Sequence, residues 1–176
     1  MTTALLIIDV QRALCTGEYE CFEINRVIEN INGLSARARD AGVPVIFIQH
    51  EEGDLLQHGS KGWQLADGLE TSPEDLRVRK TAPDAFYQTS LRQVLQKQEV
   101  ERLVICGLQT DYCVNATVRQ ALSLGYDVVL ARDAHSTVDN GNITAEDIIS
   151  EHNKDLAHLT GSVARIDVIP AKEIRF

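Results

Sequence analysis

The sequence predicts an α/β fold: three layers, α-β-α, built on a six-stranded, mostly parallel sheet. Three observations carry this. Short apolar runs alternate with helical patterns along the chain, the order expected of parallel strands joined by crossover helices. The strand-like runs are almost continuously apolar, as in strands covered on both faces. Glycines stand where two helical patterns stop, at Gly42 and Gly125.

ALLIID (4–9) is the first strand. Phe22, Val27, Ile28, Ile31, Leu34 and Ala38 recur at helical spacing over residues 22–41. VPVIFIQ (43–49) is the second strand, and the polar, glycine-bearing residues 50–73 read as a long loop. LRVRK (76–80) is a third, shorter strand. A helix over 88–98 places Leu91, Val94 and Leu95 on one face. RLVIC (102–106) is the fourth strand, followed by a helix over 111–124. YDVVLA (126–131) is the fifth. A helix over 144–159 turns Ile148, Ile149, Leu156 and Leu159 inward, and SVARIDVI (162–169) is the sixth strand. No repeat or linker divides the chain, so residues 1–176 read as one domain around a Rossmann-like sheet.

With 44% hydrophobic residues the composition is that of an ordinary globular protein. The net charge of −9 lacks the basic footprint of a nucleic-acid binder, and no apolar run approaches a membrane span. MTTALLIIDV has no basic start and no cleavage site, so it reads as a strand and a cytoplasmic location is expected. The four cysteines, Cys15, Cys21, Cys106 and Cys113, match no zinc or CxxC spacing, and disulfides are not expected.

Ligands of parallel sheets bind beyond the carboxyl ends of the strands. The polar residues there are Asp9, Gln49, His50, Lys80, Cys113, Asp133 and His135. An acid, a lysine and a thiol thus gather on one edge. Cys113 falls in the first turn of the helix starting near Asp111, where the helix dipole and a nearby lysine would lower a thiol pKa. A carboxylate would accept its proton, and backbone N–H groups at the turn would hold an oxyanion. The alternatives are a cysteine packed on the sheet, an Asp9 that caps a turn and a surface Lys80.

The segments LLIIDVQ (5–11), GVPVIFIQ (42–49), RKTAPDAFYQTSL (79–91), LVICGLQTDYCVNATVRQALSLGYDVVLARDAHST (103–137) and IISEHNKDL (148–156) occur in an order that resembles the isochorismatase-like cysteine hydrolases. The resemblance implies a catalytic triad of Asp9, Lys80 and Cys113. It also implies a non-proline cis bond at Leu108–Gln109, with the N–H groups of Gln109 and Cys113 as the oxyanion hole. The activity implied is hydrolysis of a small amide, carbamoyl or lactam compound through a thioester. The alternatives are vinyl-ether hydrolysis, which the intact TD-x-C motif disfavours, and a non-catalytic binding or assembly protein.

Gln11 either points into the pocket or is a loop residue. Phe86, Tyr87 and Trp63 are pocket walls or core aromatics. Tyr112 faces the pocket or a neighbouring subunit. His135 is a structural residue or a substrate contact, and His152 has a packing or interface role. Nicotinamidase relatives carry a metal on an Asp-x-His pair after the second strand. This chain reads QHEEGD there, and His50, Glu52, Asp54 and His58 sit in what reads as a loop. No metal and no other cofactor is therefore expected. The expected partners are a small-molecule substrate and further copies of the chain in a homo-oligomer.

Overall fold

The computed structural model describes residues 1–159 and 163–176. Its elements run β1 (Thr3–Ile8), α1 (Arg12–Cys15), α2 (Ile24–Asp40), β2 (Val45–His50), β3 (Leu76–Lys80), α3 (Leu91–Lys97), β4 (Arg102–Leu108), α4 (Asn115–Ser123), β5 (Asp127–Ser136), α5 (Ala145–Ala157) and β6 (Ile166–Ile169). The strands form one sheet in the order β3-β2-β1-β4-β5-β6. Every pairing is parallel.

β1 and β2 are buried at every position, which is why their sequences are apolar without alternation. Their side chains still alternate between the two faces. Leu5, Ile7 and Phe47 meet Val27, Ile31 and Leu34 of α2. Leu6, Ile8 and Ile48 meet Leu91 and Leu95 of α3, Val118 of α4 and Leu156 of α5. These two clusters make the three layers. Each fully buried aliphatic side chain contributes about 1.5–3 kcal/mol relative to exposure, so the sheet is held as a stiff platform.

The boundaries differ from the sequence reading in ways that matter for function. β2 runs one residue further and takes in His50. β4 continues to Leu108, and β5 continues to Ser136 across a register shift opposite Ile105–Gly107. Asp133 and His135 therefore lie within a strand and not after it. The helix expected over 111–124 divides into a π-helical turn, Thr110–Val114, and α4. The sixth strand is shorter than expected, and Ser162, its expected first residue, lies outside the described residues. Among the described residues no helix is long and apolar enough to cross a membrane.

Candidate active site

β1 and β4 lie side by side at the centre of the sheet, and the chain leaves them toward opposite edges. A crevice forms beyond the carboxyl ends of such a pair. Gly107 keeps it narrow. It has φ +118°, and a Cβ there would stand 2.1 Å from the Ile8 carbonyl oxygen, so no other residue fits. The Leu108–Gln109 bond that follows is cis. Asp9 ends β1 with φ 52°, a left-handed conformation that is costly for a residue with a side chain. Its backbone is held there, with its N–H donating to Ile48 O at 2.9 Å and its own carbonyl accepting from Gln11 N at 2.8 Å.

Lys80 ends β3, two strands from β1, and reaches across under β2. Its Nζ lies 2.9 Å from Asp9 Oδ2, 3.2 Å from Cys113 Sγ, 2.9 Å from His50 Nδ1 and 3.0 Å from Ala82 O. Asp9 and Lys80 are 1% and 2% exposed. A buried charge of either sign is expensive alone, and each neutralises the other. An ammonium has three protons for these four neighbours, so one contact is electrostatic only. An ammonium cannot accept, so His50 Nδ1 must. The ring proton is then assigned to Nε2, 3.2 Å from Glu52 Oε2.

Cys113 sits in the π-helical turn. That turn is closed by the N–H groups of Tyr112 and Val114 donating to Gln109 O, and by Asn115 N–H donating to Thr110 O and Tyr112 O. The Gln109 and Cys113 N–H groups take no part in that set. The thiol pKa is raised to about 12, first by burial and then by the Asp9 carboxylate, with Lys80 opposing. This corrects the expectation of a thiol activated at rest. Burial and the neighbouring Asp9 carboxylate both favour the neutral S–H, against the pull of Lys80.

Above the three side chains lies a cavity of about 330 Å³ lined by Asp9, Leu14, His50, Glu52, Leu56, Thr81, Pro83, Gln109, Tyr112 and Cys113. The structure therefore brings Asp9, Lys80, Cys113, Gln109 and Tyr112 together. Three other candidates are corrected. Gln11 is fully buried and braces the loop instead, donating from Nε2 to His50 O and Trp63 O and accepting from His50 N. Phe86, half-buried, stacks on Tyr126 at 5.9 Å against the edge of the core. His135 lies between Thr110 Oγ1 at 2.8 Å and Asn153 Oδ1 at 2.9 Å, bordering a separate depression. Trp63 edges onto His58 and is absent from the cavity wall. His152 Nδ1 donates within its own helix, to Ile148 O at 2.9 Å.

Sequence reasoning undervalued His50. The sequence places it on the active edge and beside a polar loop without giving it a role, whereas β2 fixes it against Lys80. The signal was there: a histidine directly continuing an apolar strand on the active edge. Of His50, Glu52, Asp54 and His58, only His50 belongs, among the described residues, to a tight group of possible ligand atoms, with Asp9 and Cys113, all within 4.8 Å of one another. The Lys80 ammonium lies 2.9–3.2 Å from all three, which gives that spot a cation of its own.

Comparison with known proteins matches residues 3–162 to the isochorismatase domain family. A streptothricin hydrolase from Streptomyces noursei is 41% identical over 138 residues, covering 77% of this chain and 50% of that protein. The chain spans about half the length of the two streptothricin hydrolases it matches. A ureidoacrylate amidohydrolase from Pseudomonas savastanoi pv. phaseolicola is 30% identical over 170 residues, covering 75% of this chain and 69% of that one. A crystal structure of an isochorismatase family protein superposes with a TM-score of 0.86 at 38% identity, covering 94% of this chain and 97% of that one.

Proposed function

This chain belongs to the isochorismatase family, and on that premise we propose that it is a cysteine-dependent hydrolase of small amide, carbamoyl or lactam compounds. The observation that carries the reading is the contact of one buried ammonium with both Asp9 Oδ2 and Cys113 Sγ, on the floor of a cavity. Two relatives whose names state hydrolysis, of streptothricin and of ureidoacrylate, support it.

The cycle follows from the geometry. Burial and the Asp9 carboxylate favour the protonated thiol at rest. The proton therefore leaves as the bond to carbon forms, and not before. Buried Asp9 Oδ1 has no hydrogen-bond partner among the described residues, which leaves it open to take that proton. Negative charge passes from Asp9 to sulfur and on to the substrate oxygen, and Lys80 touches the first two of these stations. The Gln109 and Cys113 N–H groups receive the oxyanion, each such donor being worth about 2.7–4 kcal/mol in the transition state. The leaving nitrogen takes its proton from Asp9 as the C–N bond breaks. Asp9 then draws a proton from water, which attacks the thioester, and the acid leaves with the thiol restored.

The cavity volume of about 330 Å³ suits a substrate at the small end of ligand sites. Release of ammonia or amine from a panel of small amides, lactams and carbamoyl compounds tests the reading. Cys113→Ala is expected to lower turnover by at least ~10³-fold, and a quenched reaction of the wild type is expected to show an acyl adduct on Cys113 by mass spectrometry. Turnover surviving in Cys113→Ala would refute it. The reading needs no metal, since Lys80 already supplies positive charge at the reacting centre. Prolonged chelation is accordingly expected to leave turnover unchanged. We propose further that the chain works as a homo-oligomer in the cytoplasm, and light scattering that shows only a 19.5 kDa species would refute the assembly.

A further inference from the structure

The charges around the cavity do not cancel, and the residue left over is Glu52. The acidic side chains lining the cavity are Asp9 and Glu52, and among the described residues no lysine or arginine lines it. Asp9 is matched by Lys80 at 2.9 Å. The Glu52 side chain is 79% exposed, and its one hydrogen-bond partner among the described residues is His50 Nε2, at 3.2 Å. That nitrogen donates as part of a neutral ring, because Nδ1 on the other side accepts from Lys80. The mouth therefore carries a negative charge with no cationic partner among the lining residues. Across the same cavity Tyr112, 54% exposed, presents an aromatic ring, and Leu14, Leu56 and Pro83 supply apolar wall.

We propose that this site selects amides and lactams that carry a cationic group, an ammonium or guanidinium, read by Glu52. The inference rests on the hydrolase reading above and adds the substrate's charge to it. A carboxylate at a cavity rim attracts a cation and repels a carboxylate-bearing competitor, which is specificity of both signs. A tyrosine face adds to the attraction when the cation lies over it. The chain's net charge of −9 raises the local concentration of cations at every approach. The cationic group belongs several bonds from the scissile carbonyl, since one imidazole and one ammonium separate Glu52 from Cys113. An aminoacyl amide or an amino-substituted lactam has this layout, and a bare carbamoyl compound does not.

The test uses matched pairs that differ in charge: Nα-acetyl-lysinamide against Nα-acetyl-norleucinamide, and an aminoalkyl lactam against its alkyl analogue. kcat/KM is measured for wild type and Glu52→Gln, which keeps an acceptor for His50. Kd is measured on Cys113→Ser with and without Glu52→Gln. The wild type is expected to favour the cationic member of each pair about tenfold at low salt. That ratio is expected to fall to about twofold in Glu52→Gln, and in wild type at high salt. The same loss is expected in Kd. Equal use of both members, or a preference that survives in Glu52→Gln, overturns the inference while leaving the hydrolase reading intact. Glu52-dependent binding of the cationic members without any turnover supports the inference and removes the hydrolase reading. Neither binding nor turnover of any member overturns the inference.

Discussion

The two sides of the central β1–β4 pair each bring a buried histidine to the active edge, and they use it differently. On the β2–β3 side His50 stands between Lys80 and Glu52, two charged groups. On the β5 side His135 stands between Thr110 and Asn153, two neutral ones. Its neighbours hold the chain around it: Ser136 Oγ donates to Phe22 O, and Thr137 Oγ1, just past β5, donates to Asp111 Oδ1. The β5 residues therefore fix the turn that carries Cys113, while β2 and β3 supply the charge that acts on it. One side gives the nucleophile its position and the other its electrostatics. Residue type alone does not separate these roles; the partners do.

The comparison breaks most visibly at Lys80. Lys80→Met removes the cation and leaves Asp9 buried without its counter-charge. Breaking a buried pair in this way costs about 3–5 kcal/mol. Turnover is expected to fall by at least ~10³-fold, with thermal stability lowered in parallel, as read by kinetics and thermal melts. A Lys80→Met protein with ordinary stability would mean that the charge balance on this side has been misread.

The β5 side is probed by pH. Burial lowers the His135 pKa from 6.5 to about 4, with the Asn153 hydrogen bond opposing. The unfolded chain takes up this proton near pH 6.5 and the folded chain only near 4. The stability tied to the neutral ring is thus fully present above about 6.5 and is lost as pH falls toward 4, by up to roughly 3 kcal/mol. Urea unfolding across this window is expected to show the decline, and His135→Gln to flatten it. An unchanged slope in the variant would show that other groups carry the acid sensitivity.

The smallest effect is expected at His50. His50→Gln retains a side chain able to accept from Lys80, so the fold should be unaffected. kcat is expected to fall about tenfold with little change in KM, because Lys80 is less firmly placed. A rise in KM at constant kcat would instead make His50 a substrate contact.

The centre of the sheet was legible because two-sided burial writes itself as nearly unbroken apolar runs; Asp9 was legible because it directly follows such a run, and Lys80 because it ends a short strand on the same edge. What escaped the sequence was whatever depends on residues distant in the chain. The continuation of β5 through Arg132, Asp133 and His135 reads as a loop by polarity, and pairing of Gly107 with His135 and of Leu108 with Ser136 makes it strand. Gln11 looks like a pocket residue until His50 and Trp63, 39 and 52 positions away, are seen to consume its amide. Phe86 looked like a pocket wall and found Tyr126. The thiol's position was predictable and its protonation was not, because burial is a property of the assembled fold.

Gly107 sets a dimension. The acid and the thiol hang from neighbouring strands, and their spacing follows from how closely those strands lie. A single methyl at position 107 would meet the Ile8 carbonyl oxygen at 2.1 Å, so alanine there would push β4 away from β1. Misplacement of reacting groups by about 1 Å is enough to cost ~10²-fold in rate. The missing side chain thus works as a gauge block: its zero thickness calibrates the reach between Asp9 and Cys113, although it contributes no atom to the chemistry.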